Sequence, residues 1–307
     1  MIRISNLVKH YDSFKALDNI SMDIADASVY GLVGINGAGK STLLRTIVGI
    51  YKPDSGNVQY DGIEVYDNQD VKKQIAFVPD DLYLPGNSCI TDMSSRYKVL
   101  FSGDFNESKC FELAELFGLD IDQRFNTFSK GMRRQAATIL ALARDTGYIF
   151  FDETFDGLDP FKRAFVKKLI IDDVRSRGAT AIISSHSLRE LSDICDKLAV
   201  LNKGGVILES AISSYGSDVT KVQVVFSRPH ARDDFSDFNI IEFSATGSVV
   251  NMIAGGDRGV ILSKLKKMSP LLIETLPLTI EEVFTIELEK HGVDAFRLFG
   301  EEVNENA

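Results

Sequence analysis

The residues best suited to chemistry lie in a glycine-rich loop, GINGAGKST, at positions 34–42. The spacing from Gly34 to Gly39, Lys40 and Ser41 fits the phosphate-binding pattern G-x-x-x-x-G-K-[ST]. In this pattern backbone N–H groups face phosphate oxygens, the lysine reaches the β- and γ-phosphates, and the hydroxyl binds Mg²⁺. We therefore predict a nucleotide site, with a glycine-rich turn that binds nothing as the alternative.

The segments on either side of this loop are those that the motif requires. Residues 29–33, VYGLV, are apolar like a buried strand, and residues 42–48 have the periodicity of a helix. The positive end of that helix would face the phosphates. Strand, loop and helix in this order favour a nucleotide site over a simple turn. The loop residues that we predict to bind the nucleotide are Gly34, Asn36, Gly37, Ala38, Gly39, Lys40, Ser41 and Thr42.

A second candidate is the acidic end of the segment YIFFDE, residues 148–153. Four consecutive apolar residues are typical of a strand buried on both faces of a parallel sheet. Asp152 and Glu153 follow at its carboxyl end, where open α/β sheets bind ligands. Beside a phosphate loop, Asp152 would bind Mg²⁺ and Glu153 would orient or deprotonate the attacking water. The alternative is that the two acids merely begin a loop.

The segment FSKGMRRQ, residues 128–135, predicts a second anion site. Ser129 is a suitable N-cap, and Gly131 would leave backbone N–H groups open at the start of a helix. The alternative is a capped basic helix without a ligand.

Three further side chains have weaker signals. Tyr11 lies at a predicted turn between two strands, where its ring could stack on a base or pack locally. Asp80 follows a short apolar strand, Ile75–Val78, and is either a turn residue or a ligand of metal or water. His186 ends another apolar strand, and a histidine there is either structural or directed to the ligand edge of the sheet.

The chain as a whole has the composition of a globular protein. Of its 307 residues, 44% are hydrophobic and 25% are charged, and the net charge is −10. This acidic balance argues against broad binding to DNA or RNA, which requires a basic face. The 3 cysteines are widely separated and form neither a metal-ligand pair nor a disulfide framework, which fits a reducing cytosol. No apolar stretch reaches about 18 residues and the N-terminus has no apolar signal core, so we expect neither a membrane span nor secretion.

The order of elements predicts an α/β fold with the mixed sheet of a P-loop NTPase. Alternating runs in residues 2–25 predict an antiparallel β subdomain, and helical periodicity in about 84–145 predicts an inserted helical subdomain. We assign residues 1–212 to a nucleotide-binding domain and 213–290 to a small C-terminal α+β domain. We assign residues 291–307 to a polar tail, whose last segment, GEEVNENA, is acidic and expected to be disordered.

Taken in order, these motifs resemble the ATP-binding-cassette (ABC) ATPase family across residues 1 to about 210. The motifs that carry the resemblance are Tyr11, GINGAGKS at 34–41, FSKGMRRQ at 128–135, FFDE at 150–153, GLDP at 157–160 and SSHS at 184–187. It implies that Tyr11 stacks on adenine, that His186 senses the γ-phosphate, and that Asp159 links two sites across a dimer. It also implies a signature that contacts ATP bound to the opposite subunit, formed by Ser129, Lys130 and Gly131.

The predicted active site therefore has three groups of residues. The catalytic residues are Lys40, Glu153 and His186. The Mg²⁺ ligands are Ser41, Asp80 and Asp152. The nucleotide ligands are Tyr11, the loop residues given above, the signature residues and Asp159.

The signature and Asp80 depart from the common family pattern, and one C-terminal segment adds to the resemblance. The signature usually reads L-S-G-G-Q, and here Phe128 and Lys130 replace the first and third residues, in a form similar to single-cassette subunits of bacterial exporters. The segment LTIEEVF at 278–284 is similar to a C-terminal element of the same branch. Asp80 stands where the family commonly has a glutamine that ligates Mg²⁺ and senses the membrane partner.

The resemblance implies an ATPase with ATP and Mg²⁺ as cofactors. It would dimerise around two ATP–Mg²⁺, with a copy of itself or a paralogue, and power export through a separate transmembrane permease at the cytoplasmic face of the cell membrane. The permease would contact the helical subdomain near residues 82–100. The alternatives are an importer ATPase with a C-terminal regulatory domain, or a soluble ABC protein that acts in translation or DNA repair. We expect no nucleic-acid partner.

Overall fold

The computed structural model describes residues 1–101, 103–211 and 219–290, without the side chains of Ser210, Ala211, Ile280, Glu281 and Lys290. These residues form two compact units, Met1–Ser210 and a second unit that begins at Ala211. The predicted tail, 291–307, lies outside the described residues. Within the described ranges, no helix is long and apolar enough to cross a membrane.

Strands and helices alternate along most of the chain. The strands are β1 Ile2–Tyr11, β2 Phe14–Ile24, β3 Val29–Val33, β4 Ser55–Tyr60, β5 Ile63–Glu64, β6 Ile75–Val78, β7 Tyr148–Asp152, β8 Thr180–Ser185, β9 Lys197–Asn202, β10 Gly205–Ala211, β11 Val219–Val225, β12 Asn239–Thr246, β13 Val249–Gly255 and β14 Leu272–Leu276. The α-helices are α1 Lys40–Ile47, α2 Gln69–Lys73, α3 Ile90–Leu100, α4 Glu107–Leu116, α5 Lys130–Leu142, α6 Pro160–Arg177, α7 Leu188–Leu191, α8 Arg258–Lys267 and α9 Ile280–Lys290.

An antiparallel sheet with the strand order β2-β1-β4-β5 lies in the first unit. Strands β1 and β2 pair from Ile2 opposite Ile24 to Tyr11 opposite Phe14, as their alternating pattern predicts. Asp12, with a φ of 52°, makes the tight turn between them. The antiparallel β subdomain is thus confirmed. Tyr11 is the last residue of β1, directly before the hairpin turn to β2.

A second sheet in the same unit has the strand order β10-β9-β3-β8-β7-β6. The neighbours from β9 through to β6 are parallel. Every residue of β3, β7 and β8 is buried, as expected of parallel strands covered on both faces. Because parallel strands end at one edge, the phosphate loop, the acidic strand end and His186 come together there.

Helices fill the segment in which the sequence predicts a helical subdomain. Helices α3, α4 and α5 lie between β6 and β7, and an isolated bridge joins Phe105 to Arg144. Helix α2, by contrast, is not predicted from the sequence. It has only 5 residues, of which Val71 is the buried one, and Asn68 caps it by accepting from the N–H groups of Asp70 and Val71.

The second unit contains an antiparallel sheet with the order β12-β13-β11-β14. Strand β11 alternates between buried and half-buried residues, which is typical of a sheet with one face on a core. That core includes Val222, Val224, Met252 and Leu265. This sheet and helices α8 and α9 confirm the α+β character predicted for the C-terminal part of the chain.

Candidate nucleotide-binding site

The predicted phosphate loop connects β3 to α1. Within it, the N–H of Ala38 donates to the carbonyl of Ile35 at 3.1 Å. Gly39 has a φ of 106°, and a Cβ at this position would lie 2.7 Å from the carbonyl oxygen of Ala16. Both the left-handed backbone and the close approach therefore require glycine at the start of the helix.

Lys40 begins α1 and is buried beneath the loop. Its ammonium group contacts the carbonyl oxygens of Gly34 and Ile35, the latter at 3.3 Å. It also lies 3.0 Å from Oε1 of Glu153. Lys40 is 5% exposed, so these acceptors replace the water that a buried ammonium group has lost. The same group can bind phosphate oxygens through charge-assisted hydrogen bonds.

Glu153 contacts both Lys40, the predicted phosphate ligand, and His186, a predicted catalytic residue. Its Oε2 lies 2.9 Å from Nδ1 of His186 and accepts from the backbone N–H of His186 at 3.3 Å. Its φ of 48° is in the left-handed region, a conformation that is costly for a residue with a side chain and is often found at functional sites. The N–H of Glu153 donates to Oγ of Ser184 at 3.1 Å, which stabilises this conformation.

Asp152 is completely buried at the end of β7. The parallel register places it opposite Ser184, whose Oγ donates to Oδ1 at 2.6 Å. Among the residues that the structure describes, none bonds to Oδ2 of Asp152. A buried carboxylate oxygen without a partner is costly unless a cation or ligand is bound nearby. The sequence assigns no role to Ser184, although it begins the SSHS segment at 184–187, and the signal for it is a hydroxyl on the strand parallel to β7.

A pocket of about 230 Å³ brings many predicted residues together. It is lined by the loop residues 35–42, by Tyr11, Phe14 and Ala16, and by Asp80 and Glu153. Tyr11 is 42% exposed and contacts the ring of Tyr51 edge-on, with centroids 6.1 Å apart. The exposed ring at one wall and the lysine at another suit a ligand with a flat base and phosphates. The predicted residues that do not line the pocket are Gly34, Ser129, Lys130, Gly131, Asp152, Asp159 and His186.

Asp80 lines the pocket and is ion-paired. Its Oδ1 lies 2.9 Å from Nη2 of Arg134, which is 1% exposed, whereas Asp80 is about half exposed. Arg134 belongs to the segment 128–135 but has no role in the sequence analysis. Nothing in the local pattern indicates its partner, because Asp80 lies at the end of a distant strand. The role of Asp80 as a Mg²⁺ ligand stays a prediction.

The donors in this region suit Mg²⁺. The hydroxyl of Ser41, the unpaired Oδ2 of Asp152 and the carboxylate of Asp80 are hard oxygen donors, which Mg²⁺ prefers. In the part of the chain that the structure describes, no cluster of three or more His, Cys, Asp or Glu could hold a metal. A cation that shares its coordination with phosphate and water needs only one or two carboxylates. When bound, it would supply positive charge to the phosphate oxygens.

The predicted signature residues and Asp159 cap helices. Oγ of Ser129 accepts from the N–H of Met132 at 3.2 Å and caps α5. Oδ1 of Asp159 accepts from the N–H of Lys162 at 3.0 Å and caps α6. The α5 cap uses one N–H of the first turn of the helix, and Gly131 adds no side chain there. The beginning of α5 is therefore a suitable anion site.

Comparison with known proteins identifies the family. Residues 17–156 match the family model described as ABC transporter. The ABC transporter ATP-binding protein YtrB of Bacillus subtilis is 26% identical over 290 residues, which are 92% of this chain and 97% of YtrB. The lantibiotic transport ATP-binding protein SrtF of Streptococcus pyogenes is 31% identical over 211 residues, which are 68% of this chain and 90% of SrtF.

A solved structure shows the same fold. It is the dimeric, post-hydrolysis ATP-binding cassette MJ0796 bound to ADP and Pi, with a TM-score of 0.63 and 22% identity, and the match covers 69% of this chain and 99% of that one. The predicted P-loop NTPase fold is thus confirmed. The roles of individual site residues stay predictions. With a phosphate loop and an acidic strand end meeting at one sheet edge, this chain belongs to the ABC transporter family and is an ATP-hydrolysing subunit that uses ATP and Mg²⁺.

Proposed function

We propose that the chain powers export through a separate permease, as one of two ATPase subunits that enclose two ATP–Mg²⁺ between them. One observation carries the two-subunit arrangement. Among the described residues that line the pocket of Lys40 and Glu153, none comes from the segment 128–135. The start of α5 is nevertheless built to accept an anion. A second subunit would supply the phosphates for that helix and would receive the same contact in return.

Within this proposal each residue near the pocket has one task. Lys40 binds the β- and γ-phosphates, and Ser41 and Asp152 hold Mg²⁺. Glu153 orients or deprotonates the attacking water, and His186 holds the carboxylate of Glu153 through the 2.9 Å contact. Phosphate binding to Lys40 competes with the Lys40–Glu153 ion pair and so frees Glu153 for this task.

The direction of transport is proposed from the signature and from the relatives. The F-S-K-G-M form of the signature and the segment 278–284 are similar to exporter subunits, and SrtF is named for lantibiotic transport. Import is the second candidate. MetN 1 of Oceanobacillus iheyensis, named a methionine import ATP-binding protein, is 31% identical over 220 residues, which are 67% of this chain and 65% of MetN 1.

We further propose that residues 1–212 and 213–290 are separate functional domains. The permease would hold the chain at the cytoplasmic face of the membrane and would contact residues 82–100. Tyr83, Val99 and Leu100 are strongly exposed apolar side chains in this region, which suits a protein partner.

Co-purification from membranes tests this proposal. A tagged chain should bring down an integral membrane protein, and the complex in inside-out vesicles should accumulate substrate in the lumen when ATP is added. A complex with Glu153→Gln is the matched control, because it keeps the assembly and removes hydrolysis. ATP-driven efflux from the vesicles would favour import instead, and the absence of any membrane protein would contradict both directions.

A further inference from the structure

Arg134 is among the largest fully buried side chains in the described structure. It lies in α5, and its Nη2 lies 2.9 Å from Oδ1 of Asp80 at the end of β6. Its Nη1 faces the carbonyl oxygens of Asp152 at 3.4 Å and Pro79 at 3.5 Å. The guanidinium group therefore lies behind the ends of β6 and β7, on the side of the pocket where the carboxylates lie.

The position of Arg134 bears on the net charge of the pocket wall. The charged side chains that line the pocket, among the described residues, are Lys40, Asp80 and Glu153. Lys40 is matched by Glu153 at 3.0 Å. Among the protein's own charges on this wall, Asp80 would leave a net negative charge where the phosphates are proposed to bind. Arg134 lies directly behind Asp80 and cancels this charge.

The burial of Arg134 in turn depends on its ion pair with Asp80. Its Nε has no hydrogen-bond partner among the described residues, and the two carbonyl contacts are long. Asp80 is therefore the strong acceptor for this buried cation, which could not stay buried cheaply without one. The pair holds one oxygen of Asp80 on α5 and away from the phosphates.

We propose that Arg134 is a positioning residue that neutralises Asp80 and so gives the site its preference for ATP over ADP. This inference rests on the proposed function, which places the γ-phosphate between Lys40 and the carboxylates. An unpaired Asp80 repels the charge of the γ-phosphate, which ATP has and ADP lacks. Loss of Arg134 should therefore weaken the binding of ATP and leave the binding of ADP almost unchanged.

The test is Arg134→Gln, with ATP and ADP titrated separately by equilibrium binding in the presence of Mg²⁺. We expect ATP to bind about tenfold more weakly, as an added charge at close range in a partly solvated site predicts, and ADP to bind almost unchanged. Arg133→Gln is the matched control. It removes the same charge one residue away, from a side chain whose Nε donates to the carbonyl of Phe125 at 3.1 Å and not to an acid.

The double variant Asp80→Asn with Arg134→Gln should restore the ratio of ATP to ADP affinity, because both charges are gone. If Arg134→Gln alone does not fold, this double variant and Asp80→Asn carry the test. Asp80→Asn alone should bind ATP more tightly, since Arg134 then adds uncompensated positive charge. Weaker ATP binding by Asp80→Asn, seen with Mg²⁺ and absent with EDTA, would overturn the inference and make Asp80 a metal ligand.

Two further outcomes separate this inference from the proposed function. Equal losses for ATP and ADP in Arg134→Gln, or equal losses in Arg133→Gln, would reject the inference and leave the proposed function standing. Lys40→Ala with unchanged ATP affinity would reject the proposed phosphate site itself.

Discussion

Oε1 of Glu153 lies 3.0 Å from Nζ of Lys40, while the other oxygen of the same carboxylate lies 2.9 Å from Nδ1 of His186. One carboxylate thus connects Lys40, the predicted phosphate ligand, to the histidine at the end of the next strand. Its position depends on a left-handed backbone at Glu153. If Lys40 binds phosphate and Glu153 activates water, as proposed, this arrangement couples nucleotide binding to the position of Glu153.

Glu153→Gln should bind ATP and hydrolyse it at least ~100-fold more slowly, because loss of a general base costs about 10²–10⁴ in rate. The glutamine is nearly isosteric and keeps a hydrogen bond to His186. Its loss of charge also removes competition for Lys40, so ATP affinity should be equal or higher. Single-turnover hydrolysis and a nucleotide titration check the two parts. Hydrolysis at the unsubstituted rate would contradict the role of Glu153.

Lys40→Ala should lose most of its ATP affinity, because the phosphates lose their direct cationic partner. Lys167→Ala is the matched control, since Lys167 is also a largely buried lysine in an ion pair, with Asp193 at 2.7 Å. Calorimetric titration of both variants with ATP should separate them. Equal losses of ATP affinity in the two variants would show that the effect comes from general destabilisation.

Ser184→Ala should raise the Mg²⁺ concentration needed for half-maximal hydrolysis by about 10- to 100-fold, as loss of a group that orients a metal ligand does. The hydroxyl donates to Asp152 at 2.6 Å and accepts from the N–H of Glu153 at 3.1 Å. Without it, Asp152 loses the donor that holds its Oδ1, while the N–H of Glu153 keeps the carbonyl oxygen of Ser184 at 3.2 Å.

Ser185→Ala is the control for this variant, because Ser185 is equally buried and its hydroxyl donates to Glu190 at 2.6 Å. A Mg²⁺ titration of ATPase activity compares the two. If both variants show the same shift, the effect is structural and does not come from the metal ligand.

The loop and the acidic strand end could be predicted from the sequence because each is local. The glycine spacing, the apolar run and the adjacent acids all lie within a few residues, and their periodicity shows which element they belong to. The order of strands at the ligand edge then brings Lys40, Glu153 and His186 together. Helix α2 gives no periodic signal in the sequence because it has 5 residues and a single buried one, Val71.

The polar contacts around the site could not be predicted in this way. Arg134 and Asp80 are 54 positions apart, and Ser184 and Asp152 are 32 apart. Each pair depends on which strand or helix becomes the neighbour of which. Hydrophobic periodicity shows that an element is buried, but it does not show the polar partner across the layer. These pairs therefore emerge only from the fold.

Stability should fall as the pH rises from about 9 towards about 12, in part because of Cys110. Burial raises the pKa of the Cys110 thiol to about 12, and the carboxylate of Glu107 adds to this shift. The unfolded chain releases this proton near pH 8.5 and the folded chain keeps it. The folded state thus binds more protons in this window, so its stability decreases with pH.

Urea unfolding at several pH values checks this prediction against Cys110→Ala. The free energy of unfolding of the variant should be lower by an amount that does not change with pH, because the side chain is lost. Above pH 9 this free energy should decline less steeply than in the unsubstituted chain. Parallel declines in the two proteins would show that Cys110 does not contribute.

The proposed two-subunit site predicts that two inactive variants restore activity when they are mixed. Lys40→Ala removes the phosphate loop of one subunit. Ser129→Asp keeps a good N-cap on α5 but places a negative charge against the phosphates of the partner. A mixed dimer has one site with both defects and one intact site, so a 1:1 mixture should recover about a quarter of the unsubstituted activity in a twofold dimer. The measurement is ATPase rate against mixing ratio, which should peak near equal amounts. A rate that stays at the level of the separate variants, while the unsubstituted chain is active under the same conditions, would mean that each site is completed within one subunit.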